Sequence, residues 1–367
     1  MKKIYQISFI ICLLSFYSCT SGCLDWLEQI DQFETTIYEA IPTSVQYDIK
    51  YGYIINGSGV GSAHVDYRED ILSVINGSIT GPFILNVSSS TPIIVANNSL
   101  IEWNIVFNDS YHQRLGISGS VYAKHFMIDD ITGDTALDLM DIQTEHPNLI
   151  EKYCRPQGNE TIWFIEPQHP EIQHLANDLS EQSKSNNSFL IAKHIFSWLK
   201  QTTTYQNHPA HHHSQPATQT LQLKTGDCDD LSFLYLSLCR AVNIPARFIK
   251  GMLIQESNKS AVAIHHLWVE IFVGGNIGRN GWIPVECAGT GNVNHEINQH
   301  YGVEDASHLR LFIDDGSNQS LIQSTNHIKV TYEESMQVQL NQFAIIHNYT
   351  KLSDHRLCVT SSARTLC

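Results

Sequence analysis

The spacing of apolar and polar residues divides the chain into a β-rich part and a later helical part. From about residue 44 to 128, apolar residues such as Tyr47, Ile49 and Tyr51 alternate with polar neighbours, which is the period of a half-buried strand. Clusters of Gly, Pro, Asn and Ser separate the short runs, a pattern typical of a β-sandwich. Further strands are predicted at 83–87, 93–95, 101–107 and 118–127.

The period changes to that of an α-helix at about residue 171. Apolar residues recur at i, i+3, i+4 and i+7 from Ile172, and a second amphipathic run covers 189–199, so two helices are predicted. A third predicted helix begins at or just after Cys228, and Asn243 supplies a stop signal. The second half of the chain is therefore expected to be mixed α and β.

A predicted β-hairpin brings two polar residues together in this half. An apolar strand over 264–272, a glycine-rich turn over 274–281 and a returning strand over 282–286 make up the hairpin. With the turn centred near residue 276, His266 faces Glu286, and such cross-strand neighbours lie about 5 Å apart at Cβ. A carboxylate that orients an imidazole is the arrangement that serves a nucleophilic thiol or hydroxyl.

Cys228 is the candidate nucleophile for this pair. It lies at the start of a predicted helix, where free N–H groups and the helix dipole favour a thiolate. Asp229 and Asp230 follow directly, and their charge opposes the thiolate. The thiolate therefore needs a cationic partner, and protonated His266 is the expected one.

Four linked blocks resemble the transglutaminase-like superfamily, and together they cover about a third of the chain. The blocks are 226–230, 240–247, 266–270 and 282–286. The resemblance implies an α+β fold in which a papain-like transglutaminase core, a helix bundle packed on an antiparallel sheet, follows an all-β sandwich-like domain. It also implies that Cys228 is the nucleophile, His266 the base and acid, and Glu286 the orienting carboxylate, where the family usually has Asp. No cofactor and no metal ligands are expected.

The resemblance predicts an enzyme that cleaves a peptide or amide bond in a protein or peptide substrate through a thioester. Two alternatives stay open. One is a cross-linking transglutaminase, which transfers a Gln acyl group to an amine, because the triad does not determine the acyl acceptor. The other is a surface protein with a binding or structural role and no catalysis. The pattern does not predict an oligomeric state.

The first residues have the pattern of an export signal. Lys2 and Lys3 precede a short apolar run over 4–17, which predicts a signal peptide over 1–22. A small residue precedes both Cys19 and Cys23, so either is a candidate for a lipid anchor. We expect an extracellular or cell-surface location, with the chain resembling exported microbial proteins, archaeal ones above all.

Ten Asn-x-Ser/Thr sequons favour a glycosylated exterior, as in eukaryotes and many archaea. They lie at Asn56, Asn76, Asn86, Asn97, Asn108, Asn159, Asn186, Asn258, Asn318 and Asn348. In an oxidising exterior the C-terminal cysteines can pair, and Cys358–Cys367 is the disulfide we expect.

Composition narrows the classes of partner. The chain has 367 residues and 42 % apolar residues, enough for two domains with sizeable cores. The formal net charge of −15 repels phosphate, so nucleic acid and anionic membrane are excluded as main partners. The predicted domains are a β-sandwich-like domain over 24–150, a catalytic domain over 160–350 and a C-terminal tail over 351–367.

Overall fold

The computed structural model describes most of the chain after the N-terminal segment. The described residues are 35–84, 93–94, 100–155, 164–207, 214–257, 260–289, 293–317 and 328–367. The predicted signal peptide and the two candidate lipidation sites, Cys19 and Cys23, lie outside them. Within these ranges, no helix combines the length and apolarity needed to cross a bilayer.

Two antiparallel sheets form a sandwich around one apolar core. One sheet joins β17 (Arg364–Leu366), β16 (Met336–Val359), β1 (Thr36–Gly59), β6 (Tyr111–Lys124) and β3 (Asn76–Ile84) in that order. The other joins β15 (Ile328–Tyr332), β2 (Ser62–Asp70), β5 (Leu100–Asn108) and β4 (Ile93–Ile94). The predicted alternation is confirmed, because Tyr47, Ile49 and Tyr51 are all buried. Tyr67 and Trp103 stack between the sheets, with ring centroids 4.8 Å apart.

The C-terminal end of the chain belongs to this sandwich, which corrects the predicted tail over 351–367 and the predicted domain end at 350. Strand β16 runs antiparallel to β1 along its whole length, from Met336 opposite Gly59 to Val359 opposite Thr36. Many residues of β16 are exposed, so its sequence lacks the apolar alternation that would have predicted a strand. The expected disulfide between Cys358 and Cys367 is present and ties the chain end to β16.

The β-rich part also ends earlier than the predicted boundary at residue 150. Beyond β7 (Phe126–Met127) the chain forms α1 (Leu139–Glu145), α2 (Pro147–Leu149) and a π-helical turn (Ile150–Cys154). Ile142, Ile150 and Cys154 pack against Phe272 of the helical half. This segment therefore packs against the helical half of the molecule and not inside the sandwich.

The second core consists of helices packed on an antiparallel sheet. The helices are α3 (Pro170–Gln182), α4 (Ser188–Thr202), α5 (Ala217–Leu223), α6 (Cys228–Ala241) and α7 (Val293–His300). The sheet order is β12 (Trp282–Val285), β11 (Ser260–Phe272), β10 (Ala246–Ser257) and β14 (His308–Ile313). Short strands β8 (Thr204–Tyr205), β9 (Thr225–Gly226) and β13 (Val303–Glu304) lie at its margins. The three predicted helices and the mixed α+β class are confirmed.

Helix α6 lies at the centre of this core. Every residue from Asp230 to Arg240 is buried, so the helix is covered on all sides. Near its C-terminal end, the Arg240 guanidinium binds the Asp314 carboxylate at 2.5 Å and the Ala246 carbonyl at 2.8 Å. These contacts anchor the C-terminal end of α6 to the start of β10 and to the segment after β14.

The predicted hairpin is present, but its predicted register is wrong by two residues. Val269 pairs with Val285 and Phe272 with Trp282, which centres the turn on residue 277 instead of 276. Because side chains alternate with period two, a shift of two residues keeps every side chain on its predicted face. His266 therefore lies on the same face as Glu286, but diagonal to it and beyond the end of β12.

Arg364 joins the two halves of the molecule. Arg364 is 1 % exposed, and its guanidinium donates to four backbone carbonyls. The acceptors are Asn298 at 2.8 Å, Tyr301 at 2.9 Å, Ile128 at 3.0 Å and Gly302 at 3.2 Å. The last strand of the sandwich thus fixes the loop that follows α7.

Arg364→Leu should lower the free energy of unfolding by about 3 kcal/mol, because it leaves buried carbonyls without donors. Urea denaturation of the full chain measures this change. The matched control is Arg356→Leu on the neighbouring strand, whose side chain is exposed and whose loss should cost under about 0.5 kcal/mol. Equal effects of the two substitutions would contradict the role of Arg364.

Candidate active site

The start of α6 is held by a network around Asp230. This carboxylate accepts the backbone N–H of Gln215 at 2.6 Å and that of Asp227 at 3.2 Å. Gly226 allows the close approach, because a Cβ there would lie 2.5 Å from the Asp230 Cβ. Asp230 therefore has a structural role: it fixes the loop that places Cys228 at the first position of the helix.

The Cys228 sulfur lies against β11 and accepts a hydrogen bond from the Leu267 backbone N–H. Burial raises the pKa of the Cys228 thiol, and the neighbouring carboxylates of Asp229 and Asp227 raise it further. The thiolate expected at a helix N-terminus is therefore not favoured in this structure, since burial and two acids outweigh the helix dipole and one N–H donor. These effects favour the protonated thiol as the resting form.

The Asp229 carboxyl group changes its charge near neutral pH. Burial, together with the hydrogen bond and charge of Asp227, raises the pKa of Asp229 to about 7. Ser214 donates its hydroxyl to this carboxylate. The charge beside Cys228 therefore grows as the pH rises through neutrality.

His266 and Glu286 are in direct contact, as predicted. His266 Nε2 lies 2.6 Å from Glu286 Oε2, and the other carboxylate oxygen accepts the Ala288 backbone N–H at 2.8 Å. The pair is diagonal across the hairpin, a distance that long side chains can span. With Nε2 bound to the carboxylate, Nδ1 is the ring nitrogen left to exchange a proton with a thiol.

The structure thus gathers the three predicted site residues around one point of β11. Leu267, whose N–H meets the Cys228 sulfur, directly follows His266. Although burial alone would raise the pKa of Glu286, the imidazoles of His266 and His308 hold it well below its usual range. Glu286 is therefore an ionised carboxylate that can orient and stabilise a protonated imidazole.

His308 is the residue of this cluster that the sequence analysis missed. Its Nε2 lies 3.2 Å from Glu286 Oε2, the same oxygen that contacts His266, and its Nδ1 lies 2.9 Å from Asp305 Oδ1. The spacing of Asp305 and His308 is an i, i+3 pair, a weak signal that any short turn can produce. Only the pairing of β14 with β10 brings His308 to the hairpin.

A second buried ionic group lies beneath this cluster. Arg310 binds the carboxylates of Glu270 at 2.6 Å and Glu304 at 2.5 Å, and Arg247 also binds Glu270. Trp268 donates its indole N–H to Glu304 at 2.8 Å. Both carboxylate oxygens of Glu270 are therefore bound by arginines.

Trp268 separates the two ionic groups. Its ring stacks on His266 with centroids 5.9 Å apart, and it meets His308 edge-on at 4.9 Å. The apolar ring limits how far either imidazole can tilt away from Glu286. Gly251 makes room for this ring, since a Cβ there would approach it to 2.9 Å.

A cavity of about 170 Å³ lies next to the nucleophile. It is lined by Lys200, Thr203, Thr204, Tyr205, Leu231, Gly289 and Glu296. Leu231 is one helical turn after Cys228, and Tyr205 lies close enough that the cysteine contributes to its electrostatics. Burial first, and then the charge of Cys228, raise the pKa of Tyr205 to about 12. Tyr205 is held there because it pairs in parallel with Gly226, two residues before the cysteine.

Two groups of side chains have donor atoms close enough to ligate a metal ion. In one, atoms of His266, Glu286 and His308 lie within 4.8 Å of one another; the other comprises Asp227, Cys228 and Asp229. In the first group the hydrogen bonds described above already connect every one of these donor atoms. The prediction that the protein uses no metal stays a prediction.

Residues 173–287 match the family model described as the transglutaminase-like superfamily, a segment that contains Cys228, His266 and Glu286. No curated protein matches the chain. Among solved structures, the chain is similar to a proposed cysteine protease from Cytophaga hutchinsonii, with 14 % identity, a TM-score of 0.47, and coverage of 91 % of this chain and 100 % of that one.

Two further solved structures are similar over about two thirds of this chain. The periplasmic domain of TgpA from Pseudomonas aeruginosa has 10 % identity and a TM-score of 0.35, with 68 % of this chain and 93 % of that chain covered. A proposed protease from Parabacteroides distasonis has 12 % identity and a TM-score of 0.26, with 69 % and 47 % covered.

The electrostatics of the thiol predict the effect of removing one neighbouring charge. Asp229→Asn should raise the rate of Cys228 alkylation by iodoacetamide about tenfold at pH 8, because a loss of one pKa unit gives ten times more thiolate. At pH 6 the effect should be small, since a carboxyl with a pKa of about 7 is then already protonated. Peptide mass spectrometry after timed alkylation measures the rate at this cysteine.

Asp178→Asn is the control for this experiment, because that carboxylate is 47 % exposed on α3. It should leave the alkylation rate unchanged at both pH values. An Asp229→Asn effect of the same size at pH 6 and pH 8 would contradict the assigned charge state of Asp229.

Proposed function

We propose that the protein, whose residues 173–287 match the transglutaminase-like superfamily model, is a thiol enzyme that cleaves peptide or amide bonds through a thioester. The observation that carries the proposal is the 2.6 Å contact between His266 and Glu286. Beside this pair, the sulfur of Cys228 at the start of α6 accepts the N–H of Leu267, the residue that follows His266 on β11. This is the order of groups needed to activate a thiol.

In the proposed reaction, the Cys228 sulfur attacks the substrate carbonyl carbon while His266 Nδ1 takes the thiol proton. The resting thiol is protonated, so proton transfer accompanies the attack instead of preceding it. The imidazolium that forms is stabilised by the ionised Glu286. The backbone N–H of Cys228, which at the first helical position has no intrahelical acceptor, can donate to the developing oxyanion.

The tetrahedral adduct then collapses to a thioester as His266 returns the proton to the leaving amine. In the second half-reaction, His266 takes a proton from water, the hydroxyl adds to the thioester carbon, and the carboxylic acid and the free thiol are released. The cavity beside Leu231, about 170 Å³, can hold several water molecules at about 30 Å³ each. We therefore propose water as the acyl acceptor.

Cys228→Ala should abolish cleavage of any substrate found in a peptide pool, and Glu286→Gln should reduce kcat by up to about 10⁴, by analogy with the acid of the serine triad. The control is His265→Gln, the neighbouring residue on the opposite face of β11, which should retain activity. Full activity in Cys228→Ala would refute the proposal.

The acyl acceptor is determined by adding a fluorescent amine and a Gln-bearing protein to the same reactions. A hydrolase releases free acid and leaves the protein unlabelled, as proposed. Cys228-dependent labelling of the Gln side chain would identify a cross-linking enzyme instead. Failure to cleave or label anything, together with intact folding, would favour a non-catalytic surface role.

We also propose that the mature protein is exported and glycosylated. The Cys358–Cys367 disulfide supports this, because structural disulfides persist in oxidising compartments. Of the five sequon residues that the structure describes, Asn76, Asn108, Asn186 and Asn348 are exposed, as glycan acceptors must be, and Asn56 is half-buried.

Mass spectrometry of the protein purified from its source should find cleavage near residue 18 or 22, with a lipid on Cys19 or Cys23 if the segment is a lipoprotein signal. Glycan masses should map to the exposed sequons. An intact N-terminal segment, unmodified sequons and a reduced Cys358 would contradict export.

A further inference from the structure

His308 has a position that the proposed triad does not explain. Both of its ring nitrogens face carboxylate oxygens, Nδ1 that of Asp305 at 2.9 Å and Nε2 that of Glu286 at 3.2 Å. The His308 and Glu286 side chains are each 9 % exposed and that of Asp305 is 22 % exposed, so the contact with Glu286 is the better shielded from water.

The hydrogen-bond chemistry fixes the charge on this ring. An ionised carboxylate only accepts hydrogen bonds, so a ring nitrogen facing it must carry a hydrogen. With a carboxylate on each side, His308 needs hydrogens on both nitrogens and is an imidazolium. A neutral ring would direct a nitrogen lone pair at one of the two oxygens.

The charge on His308 affects His266 through one oxygen atom of Glu286. Glu286 Oε2 receives both the His266 contact at 2.6 Å and the His308 contact at 3.2 Å, while Oε1 receives the Ala288 N–H. The His308 charge therefore opposes protonation of Glu286 and holds Oε2 between the two rings. Trp268 contacts both imidazole rings and restricts the other orientations that they could adopt.

The charge balance of the cluster suits the proposed reaction. With Asp305 and Glu286 ionised and His308 an imidazolium, these three groups carry one net negative charge. When His266 takes the thiol proton, the cluster becomes neutral. In a buried environment the neutral arrangement is the more favourable one, so the cluster promotes transfer of the proton to His266.

We propose that His308, held as an imidazolium between Asp305 and Glu286, is a positioning residue that keeps Glu286 ionised and directed at His266. The role rests on the proposed function, since it acts through the Glu286–His266 pair and not on substrate. The proposed role gives the Cys228 thiol four connected acid–base groups, His266, Glu286, His308 and Asp305, where a triad has two.

The pH dependence of this role follows from the groups around the ring. Although burial alone would lower the pKa of His308, Asp305 and Glu286 hold it well above its usual range. The charged ring is fully present at acid and neutral pH, and its effect is lost as the pH rises through that raised pKa. Among the described residues, the titratable groups nearest the ring are its two carboxylates, Asp305 before β14 and Glu286 after β12, together with His266 on β11. The groups that interact with these two carboxylates are His300 on α7, Tyr349 on β16, Tyr205 on β8, Cys228 at the start of α6 and Cys287 after β12.

Asp305→Asn is the sharpest test, because the amide oxygen can still accept the Nδ1 hydrogen while the negative charge is gone. Loss of an opposite charge at this distance lowers a pKa by about one to three units. The alkaline limb of the kcat/KM profile should therefore move down by at least about one pH unit, with little change at pH 6. An alkaline limb identical to that of the wild type would overturn the proposal.

His308→Gln tests the same contact from the other side. We expect kcat to fall about tenfold or more, the acid limb at which Glu286 takes a proton to move to higher pH, and KM to stay unchanged. His174→Gln, with a side chain 83 % exposed on α3, is the control and should match the wild type. A fall in kcat with a rise in KM and no shifted limb would point to a purely structural role and overturn the proposal.

A readout without activity separates this proposal from the proposed function. In Cys228→Ala protein with ¹⁵N-labelled histidine, NMR should find hydrogens on both nitrogens of the His308 ring at pH 7.5. A singly protonated ring would overturn the imidazolium, as would tight Zn²⁺ binding that is lost in Cys228→Ala/His308→Gln, because the cluster would then be a metal site. Catalysis by Cys228→Ala would refute the proposed function alone.

Discussion

A buried carboxylate has to be paired, and the pairing of Glu286 determines the architecture of the site. Isolated in the core, this group would be destabilising by several kcal/mol. It is stabilised by two imidazoles and one backbone N–H, which come from β11, β14 and the loop after β12. Each of these elements must be in register for the contacts to form. The geometry of the site therefore depends on the correct pairing of the strands in the sheet.

That sheet serves both halves of the molecule. Strands β10 and β11 are long enough that Phe248 and Val269 pack on the helices while Met252 and Ile254 pack in the sandwich core. The last strand pair of the sandwich returns through Arg364 to the loop after α7. The β-rich half therefore supports the strands and the loop that carry the site.

The thiol shows how competing effects are decided by magnitude. A helix N-terminus contributes roughly 0.3–1 kcal/mol to a charge, whereas burial and adjacent acids shift a pKa by several units. Cys228 is consequently a protonated thiol that depends on His266 during the reaction. This makes the proton-accepting power of His266, and the charges of Glu286 and His308 behind it, the quantities that govern the proposed activity.

The sequence by itself determined the elements and the local chemistry. Alternation with period two predicted the strands around Tyr47, helical periodicity predicted α6, and the parity of the hairpin put His266 and Glu286 on one face even though the register was wrong by two residues. These features depend on residues that are close together in the chain, within one element or one turn, so their sequence pattern is sufficient to predict them.

Only the tertiary structure decided the rest, because the contacts join segments far apart in the chain. The pairing of β16 with β1 links residues about 300 apart and leaves few apolar signals on an exposed strand. His308 reaches Glu286 through β14, and the charge state of Cys228 depends on burial by the whole core. Long-range pairing and desolvation have no local sequence pattern, so the second imidazole and the protonated thiol could be found only in the folded chain.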